Sequence, residues 1–134
     1  MSAIDLARKS LKAHEGYRTK VYQCTAGRNT IGYGRNLDDK GITVEEAETL
    51  LDNDIAECVQ DLATFHWWNN LTDLRQAALI DMRFNLGPSR FRGFVKMIKA
   101  LEMGDFTEAA YQVLHSNYAK QVGIRAEHIA EALQ

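Results

Sequence analysis

Several things are scarce in this chain of 134 residues, and each scarcity closes off a class of protein. Cysteine occurs twice, as Cys24 and Cys58, which fits a reducing compartment and not a disulfide framework. No apolar run approaches the roughly twenty residues needed to span a bilayer, so no stable membrane insertion is expected. The N-terminus also lacks the apolar core and small-residue cleavage site of an export signal, and a cytoplasmic protein is expected. A net charge of -2 speaks against a nucleic-acid binder. His14, His66, His115 and His128 show no metal-ligand spacing, and no glycine-rich phosphate loop is present. Neither metal nor cofactor is therefore expected. Repeats, low-complexity tracts and long linkers are absent too, which leaves one domain, with room for two lobes.

What charge there is falls unevenly. Acids dominate from Asp38 to Asp61 and bases from Arg75 to Lys99, which reads as two solvated helix faces or as a basic wall for an anionic polymer. Helix signals punctuate the chain. Ser2-Ala3-Ile4-Asp5 is a capping-box pattern, and Ile4, Ala7 and Leu11 follow at helical spacing to a stop at Gly16. Thr43 opens a second helix to about Leu62, with Ala47, Leu50, Leu51, Ile55, Val59 and Leu62 as its expected buried stripe. A third starts at Thr72-Asp73 and ends at Gly87-Pro88, the only proline and the clearest terminator. Further helices are expected over Arg90–Met103, Thr107–Asn117 and Ile124–Leu133. Met82, Phe84, Phe91, Phe94, Met97, Ile98, Leu101 and Val113 form the expected core, with Trp67-Trp68 packing at a lobe junction and Cys58 structural.

The stretch His14–Arg35, HEGYRTKVYQCTAGRNTIGYGR, is the functional candidate. Arg18–Gln23 and Thr30–Tyr33 read as short strands around a turn of small and polar residues, hence a hairpin. Glu15 stands where the first helix stops, and Cys24 and Thr30 stand on neighbouring strand ends. An acid facing a thiol and a hydroxyl has the look of a catalytic arrangement. Gly32 and Gly34 bracket Tyr33, which implies strained backbone or close approach by another group.

Glu15-Gly16, Lys20-Val21-Tyr22, Thr30-Ile31-Gly32-Tyr33-Gly34, the run Asp81–Gly87, Arg92-Gly93-Phe94 and Arg125-Ala126 together resemble lysozymes of the T-even phage type, glycoside hydrolase family 24. The resemblance spans nearly the whole chain. It implies an α+β, lysozyme-like fold: a small β-hairpin lobe (about 15–45), a long connecting helix (about 43–63) and a larger helical lobe (about 65–134, joined by the N-terminal helix). It implies a phage endolysin cutting β-1,4 bonds between N-acetylmuramic acid and N-acetylglucosamine in bacterial peptidoglycan. Glu15 would be the acid, Thr30 the hydroxyl on the second face, and Arg125 the cation holding the Glu15 region in place. Gly34 and Asn36 on the hairpin side, and Phe84, Asn85 and Gly87 at a helix end, are candidate sugar contacts. A monomer reaching the wall from the host cytoplasm through a holin is also implied. Two departures stand out: Cys24 replaces the family's usual aspartate, and Arg35 stands where the best-known member has histidine.

Glycoside cleavage requires a proton for the leaving oxygen and an attacking group at the anomeric carbon. The donor must hold its proton, while a free Glu has a pKa of ~4.3; burial raises that value and a nearby cation lowers it. Cys24 either activates water in the aspartate's place or attacks covalently, and a neighbouring arginine would favour the thiolate needed for both. The rival readings are a lytic transglycosylase, a non-catalytic peptidoglycan binder on the same fold, and a cysteine hydrolase pairing Cys24 with His14.

Overall fold

A capping box starts the first helix and a glycine ends it. Ser2 Oγ accepts the Asp5 N–H at 3.1 Å, the Asp5 carboxylate accepts the Ser2 N–H, and α1 runs Ala3–Glu15. Gly16 closes it by donating to Lys12 O at 3.2 Å. The computed structural model describes residues 1–134. No residue of α1 is buried.

The expected hairpin forms. β1 (Arg18–Gln23) pairs antiparallel with β2 (Asn29–Gly32), Tyr22 opposite Thr30 and Gln23 opposite Asn29. The turn closes through Gly27 N–H to Cys24 O at 2.8 Å and Cys24 N–H to Arg28 O at 3.0 Å. A third strand, β3 (Arg35–Asn36), adds to the far edge of β2 with Thr30 opposite Asn36. Sequence reading placed only a polar turn from Asn36, because two residues are too few to show an alternating pattern.

α2 (Val44–Leu62) starts on a second capping box, Thr43 N–H to Glu46 Oε1 at 2.8 Å and Glu46 N–H to Thr43 Oγ1 at 3.1 Å. Of its expected stripe, only Leu62 is fully buried. Leu50, Leu51 and Ile55 are exposed, and only Cys58 and Leu62, one turn apart, are sealed off. The packing of α2 is thus concentrated in its last turn.

The remaining helices are α3 (Asp73–Leu86), α4 (Pro88–Arg92), α5 (Val95–Glu102), α6 (Phe106–Leu114), α7 (Asn117–Val122) and α8 (Ile124–Leu133). Thr72 caps α3, and Gly87, at φ 82, ends it by donating to Arg83 O; Pro88 then opens α4 at its first position. The single helix expected over Arg90–Met103 is broken. Gly93 N–H turns back onto Ser89 O and Arg90 O, and Phe94 leaves helical geometry to meet the Tyr118 ring edge-on. Thr107–Asn117 divides likewise, because Ser116 caps a new helix by accepting the Ala119 N–H. No helix is long and apolar enough to cross a membrane.

The chain forms two compact units, Met1–Thr49 and Leu50–Gln134, with α2 crossing the boundary. The first unit takes in α1, which sequence reading grouped with the helical lobe. Every fully buried apolar side chain lies at Cys58 or beyond. Phe91, Met82, Met97 and Leu101 anchor that core, and Trp67 and Trp68 belong to it, with Phe65 stacked on Trp67 at 4.8 Å. Phe84, expected either in this core or at the sugar site, is 44% exposed.

Candidate active site

Glu15 is the last residue of α1, and its exposed side chain meets the turn between β2 and β3. The contact is with Gly34. A Cβ there would lie 2.5 Å from Glu15 Oε2 and 2.9 Å from Cδ, and Gly34 has φ +76. Both facts demand glycine: the backbone is left-handed, and the carboxyl occupies the space of a side chain. The close approach expected from the Gly-Tyr-Gly run is therefore an approach by Glu15. Beside it opens a groove of about 690 Å³, lined by Ile4, Leu11, Lys12 and Glu15 from α1 and by Tyr33 and Gly34. The Tyr33 ring lies tilted against Tyr17, with centroids 5.2 Å apart, and 5.3 Å from Lys12 Nζ.

Cys24 and Thr30 come together in the hairpin of the same unit. Hydrogen bonding from the Arg28 backbone, then the Ala26 backbone, draws the Cys24 thiol below its ordinary pKa, with the Thr30 side chain adding to the effect. Thr30 is 3% exposed, and its hydroxyl donates to Arg28 O at 2.9 Å. A hydroxyl has one proton. Spent on that carbonyl, it leaves oxygen lone pairs as acceptors; turned to sulfur, it steadies a thiolate. The carbonyl bond has the defined geometry, so we take it as the resting state.

Asn36 is half-buried, and its amide is engaged in its own turn: Nδ2 donates to Asp39 Oδ2 at 2.8 Å, and Oδ1 accepts the Asp39 N–H at 3.1 Å. Next to it, Arg35 forks onto Glu46, Nη1 to Oε1 at 2.8 Å and Nη2 to Oε2 at 2.6 Å. Arg35 first, then the Thr43 backbone, holds the Glu46 carboxyl at about 2.

In the second unit, Phe84 and Asn85 are exposed in the last turn of α3, beside Gly87. Phe84 lines two adjoining hollows. One, with Leu51, Ile55, Ile80, Asp81 and Arg125, is apolar; the other, with Glu57, Arg83 and Gly87, is charged. Arg125 pairs with Asp81, Nε to Oδ1 at 2.8 Å. Sequence reading missed Arg83. It is 3% exposed, donating from Nε to Asp61 Oδ2 at 2.6 Å and from Nη2 to Glu57 Oε1 at 2.7 Å. Arg92 grips the same Asp61 at 2.9 and 2.7 Å. The basic wall is thus partly dissolved: Arg83 and Arg92 are neutralised by α2, and Arg75 donates to the Leu133 and Gln134 carbonyls. The available signal was Glu57 and Asp61, one helical turn apart, and an arginine at helical spacing from Leu79 and Leu86 on the buried face of α3.

Comparison with known proteins gives a consistent picture. The profile of the Phage lysozyme family matches residues 12–129. An endolysin of Acyrthosiphon pisum secondary endosymbiont phage 1 is 37% identical over 119 residues, covering 86% of this chain and 80% of that protein. A probable T4-type lysozyme of Dictyostelium discoideum is 25% identical, covering 92% of this chain and 91% of its own length. The pre-baseplate central spike protein Gp5 of Enterobacteria phage T4 is 28% identical over 89% of this chain, which corresponds to 26% of the spike protein.

Proposed function

Since the chain belongs to the phage lysozyme family, we propose that it hydrolyses the β-1,4 bonds between N-acetylmuramic acid and N-acetylglucosamine in bacterial peptidoglycan, with Glu15 as proton donor. The chain is a glycoside hydrolase of the lysozyme kind and carries α+β architecture. The observation that carries the proposal is the Glu15 carboxyl seated against Gly34, in the same compact unit as the Cys24–Thr30 hairpin. Contact with the Gly34 backbone limits where the carboxyl can lie, and general acid catalysis by a positioned carboxyl contributes ~10²–10⁴-fold.

Cys24 takes the place of a second carboxylate. Its lowered pKa gives more thiolate at neutral pH than an ordinary thiol has, and the thiolate draws a proton from water while Thr30 oxygen accepts the water's other hydrogen. Water then attacks the anomeric carbon as Glu15 protonates the departing oxygen, and the configuration inverts. The same lowered pKa favours a second route, in which sulfur attacks carbon and a thioglycosyl intermediate is hydrolysed with net retention. Phe84, Asn85 and Gly87 are read as sugar contacts, Gly34 is read as another, and Asn36 shapes the turn beside Gly34. Arg125 is read as support for the site. On the family relation, the protein works as a monomer that reaches the wall when a holin opens the membrane.

Product analysis on purified peptidoglycan tests this. Wild type releases reducing ends, Glu15→Gln loses nearly all activity, and Cys24→Ser is strongly slowed. An active Glu15→Gln variant refutes the assignment of the acid. Products lighter by one water identify a transglycosylase, and wall binding without release of fragments identifies a binder. A retained anomeric centre selects the covalent route.

A further inference from the structure

Arg35 lies outside the acid–thiol–hydroxyl set, yet it occupies the position next to Gly34. Its half-buried guanidinium joins three pieces of backbone. It belongs to β3, it donates from Nη1 to Gly41 O at 3.1 Å, and through both Nη atoms it holds the Glu46 carboxylate in the first turn of α2. Glu46 is itself tied down, its Oε1 accepting the Thr43 N–H at 2.8 Å. A two-toothed guanidinium–carboxylate pair fixes direction as well as distance, which a lysine in the same place would not do.

β3 needs such an anchor. It has two residues and pairs with β2 at two positions, Thr30 opposite Asn36 and Ile31 opposite Arg35. A strand this short contributes too few ladder bonds to hold its own position. Yet Gly34, immediately before it, must bring its backbone into contact with the Glu15 carboxyl, and Thr30 shares its ladder. We infer that Arg35 and Glu46 are positioning residues for catalysis: their ion pair pins β3 to the start of α2 and so holds Gly34 against the Glu15 carboxyl. Neither residue touches the reacting atoms. The inference rests on the reading of Glu15 as proton donor.

Neither Arg35 nor Glu46 is itself a sugar contact, and releasing the clamp acts first on the seat of the acid, so the loss falls mainly on kcat. Arg35→Gln and Glu46→Gln each lower kcat about 10- to 100-fold with KM within about twofold, since displacement of a reacting group by about 1 Å costs ~10²-fold. Arg35→Lys keeps the charge but not the fork, and falls between. The double variant is no worse than Arg35→Gln, because both substitutions remove the same ion pair and the arginine alone also carries the bond to Gly41 O. A role in stability alone predicts something else: a lower Tm, with kcat unchanged well below it. Phe91→Leu, a core change in the helical unit, serves as the control that lowers Tm with kcat intact. Read well below either Tm, kcat falls with KM held in Arg35→Gln, whereas both constants keep their wild-type values in Phe91→Leu. Should Arg35→Gln fail to fold, Arg35→Lys and Glu46→Gln carry the same test. Wild-type kcat in the clamp variants, with Glu15→Gln inactive, overturns the clamp and leaves the acid standing. An active Glu15→Gln overturns both.

Discussion

Gly34→Ala separates function from stability at a single carbon atom. The added Cβ meets Glu15 Oε2 at 2.5 Å, where ordinary contact begins at 3.4 Å, so the carboxyl must retreat by about 0.9 Å. Because that oxygen is the far end of a flexible side chain, the retreat itself costs little stability. The backbone contributes its own cost: alanine at φ +76 gives up about 1–2 kcal/mol, or a Tm lower by about 4–8 °C in a chain of this size. The chemistry loses far more, because an error of about 1 Å in the proton donor costs ~10²-fold in rate. Gly32→Ala is the matched control. It has φ +67 and nothing within 4 Å of its Cβ, so it carries similar backbone strain without the collision. Turbidity clearing of peptidoglycan, with kcat and KM measured on a soluble glycan and Tm by calorimetry, reads both terms. Gly34→Ala should show a Tm close to that of Gly32→Ala and a kcat about 100-fold lower. Equal kcat in the two variants would refute the claim that the Glu15–Gly34 contact matters to catalysis.

Other expectations follow from the charges and the core. Asp61, held at about 2 by Arg92 first and then Arg83, has a folded pKa below its ordinary value, so its contribution is complete above pH 4 and fades as pH falls from 4 towards 2. That contribution is about 2 kcal/mol at neutral pH; Asp61→Asn should lower stability by at least that much and flatten the acid side of the Tm–pH curve, because Arg83 is left buried with Glu57 alone. An alkylating reagent should modify Cys24, whose thiol pKa is lowered, below the pH at which an ordinary thiol of pKa ~8.5 reacts well. Cys58, buried and with its thiol pushed up by that burial, should react only in denaturant, as peptide mapping will report. Phe91→Ala, emptying a fully enclosed site in the helical unit, should cost about 3–5 kcal/mol by urea titration.

Most of what local chemistry dictates was legible in the chain. The capping boxes at Ser2 and Thr43, the Gly16 stop and the Gly87-Pro88 break each act within a few residues, and all form as read. The hairpin was legible for the same reason, and the two glycines around Tyr33 pointed to a close approach without naming Glu15. What escaped depends on partners far along the chain. The exposure of Leu50, Leu51 and Ile55 is decided by what packs on α2, and periodicity alone cannot supply that. Arg83 looked like one more cation in a basic stretch until Glu57 and Asp61 came to meet it. The break at Gly93-Phe94 depends on a ring contact with Tyr118.

The placement of the greasy interior at Cys58 and beyond has a consequence for how the molecule breathes. The hairpin unit is fastened by backbone ladders, a guanidinium fork and one enclosed threonine, with no oily centre of its own. Segments built that way come apart at a lower free energy than the molecule as a whole. Deuterium should therefore enter the amides of Arg18–Asn36 through partial opening events, long before it reaches those of α3 and α8. An enzyme so divided can fray and reseal its hairpin unit while its helical unit stays folded.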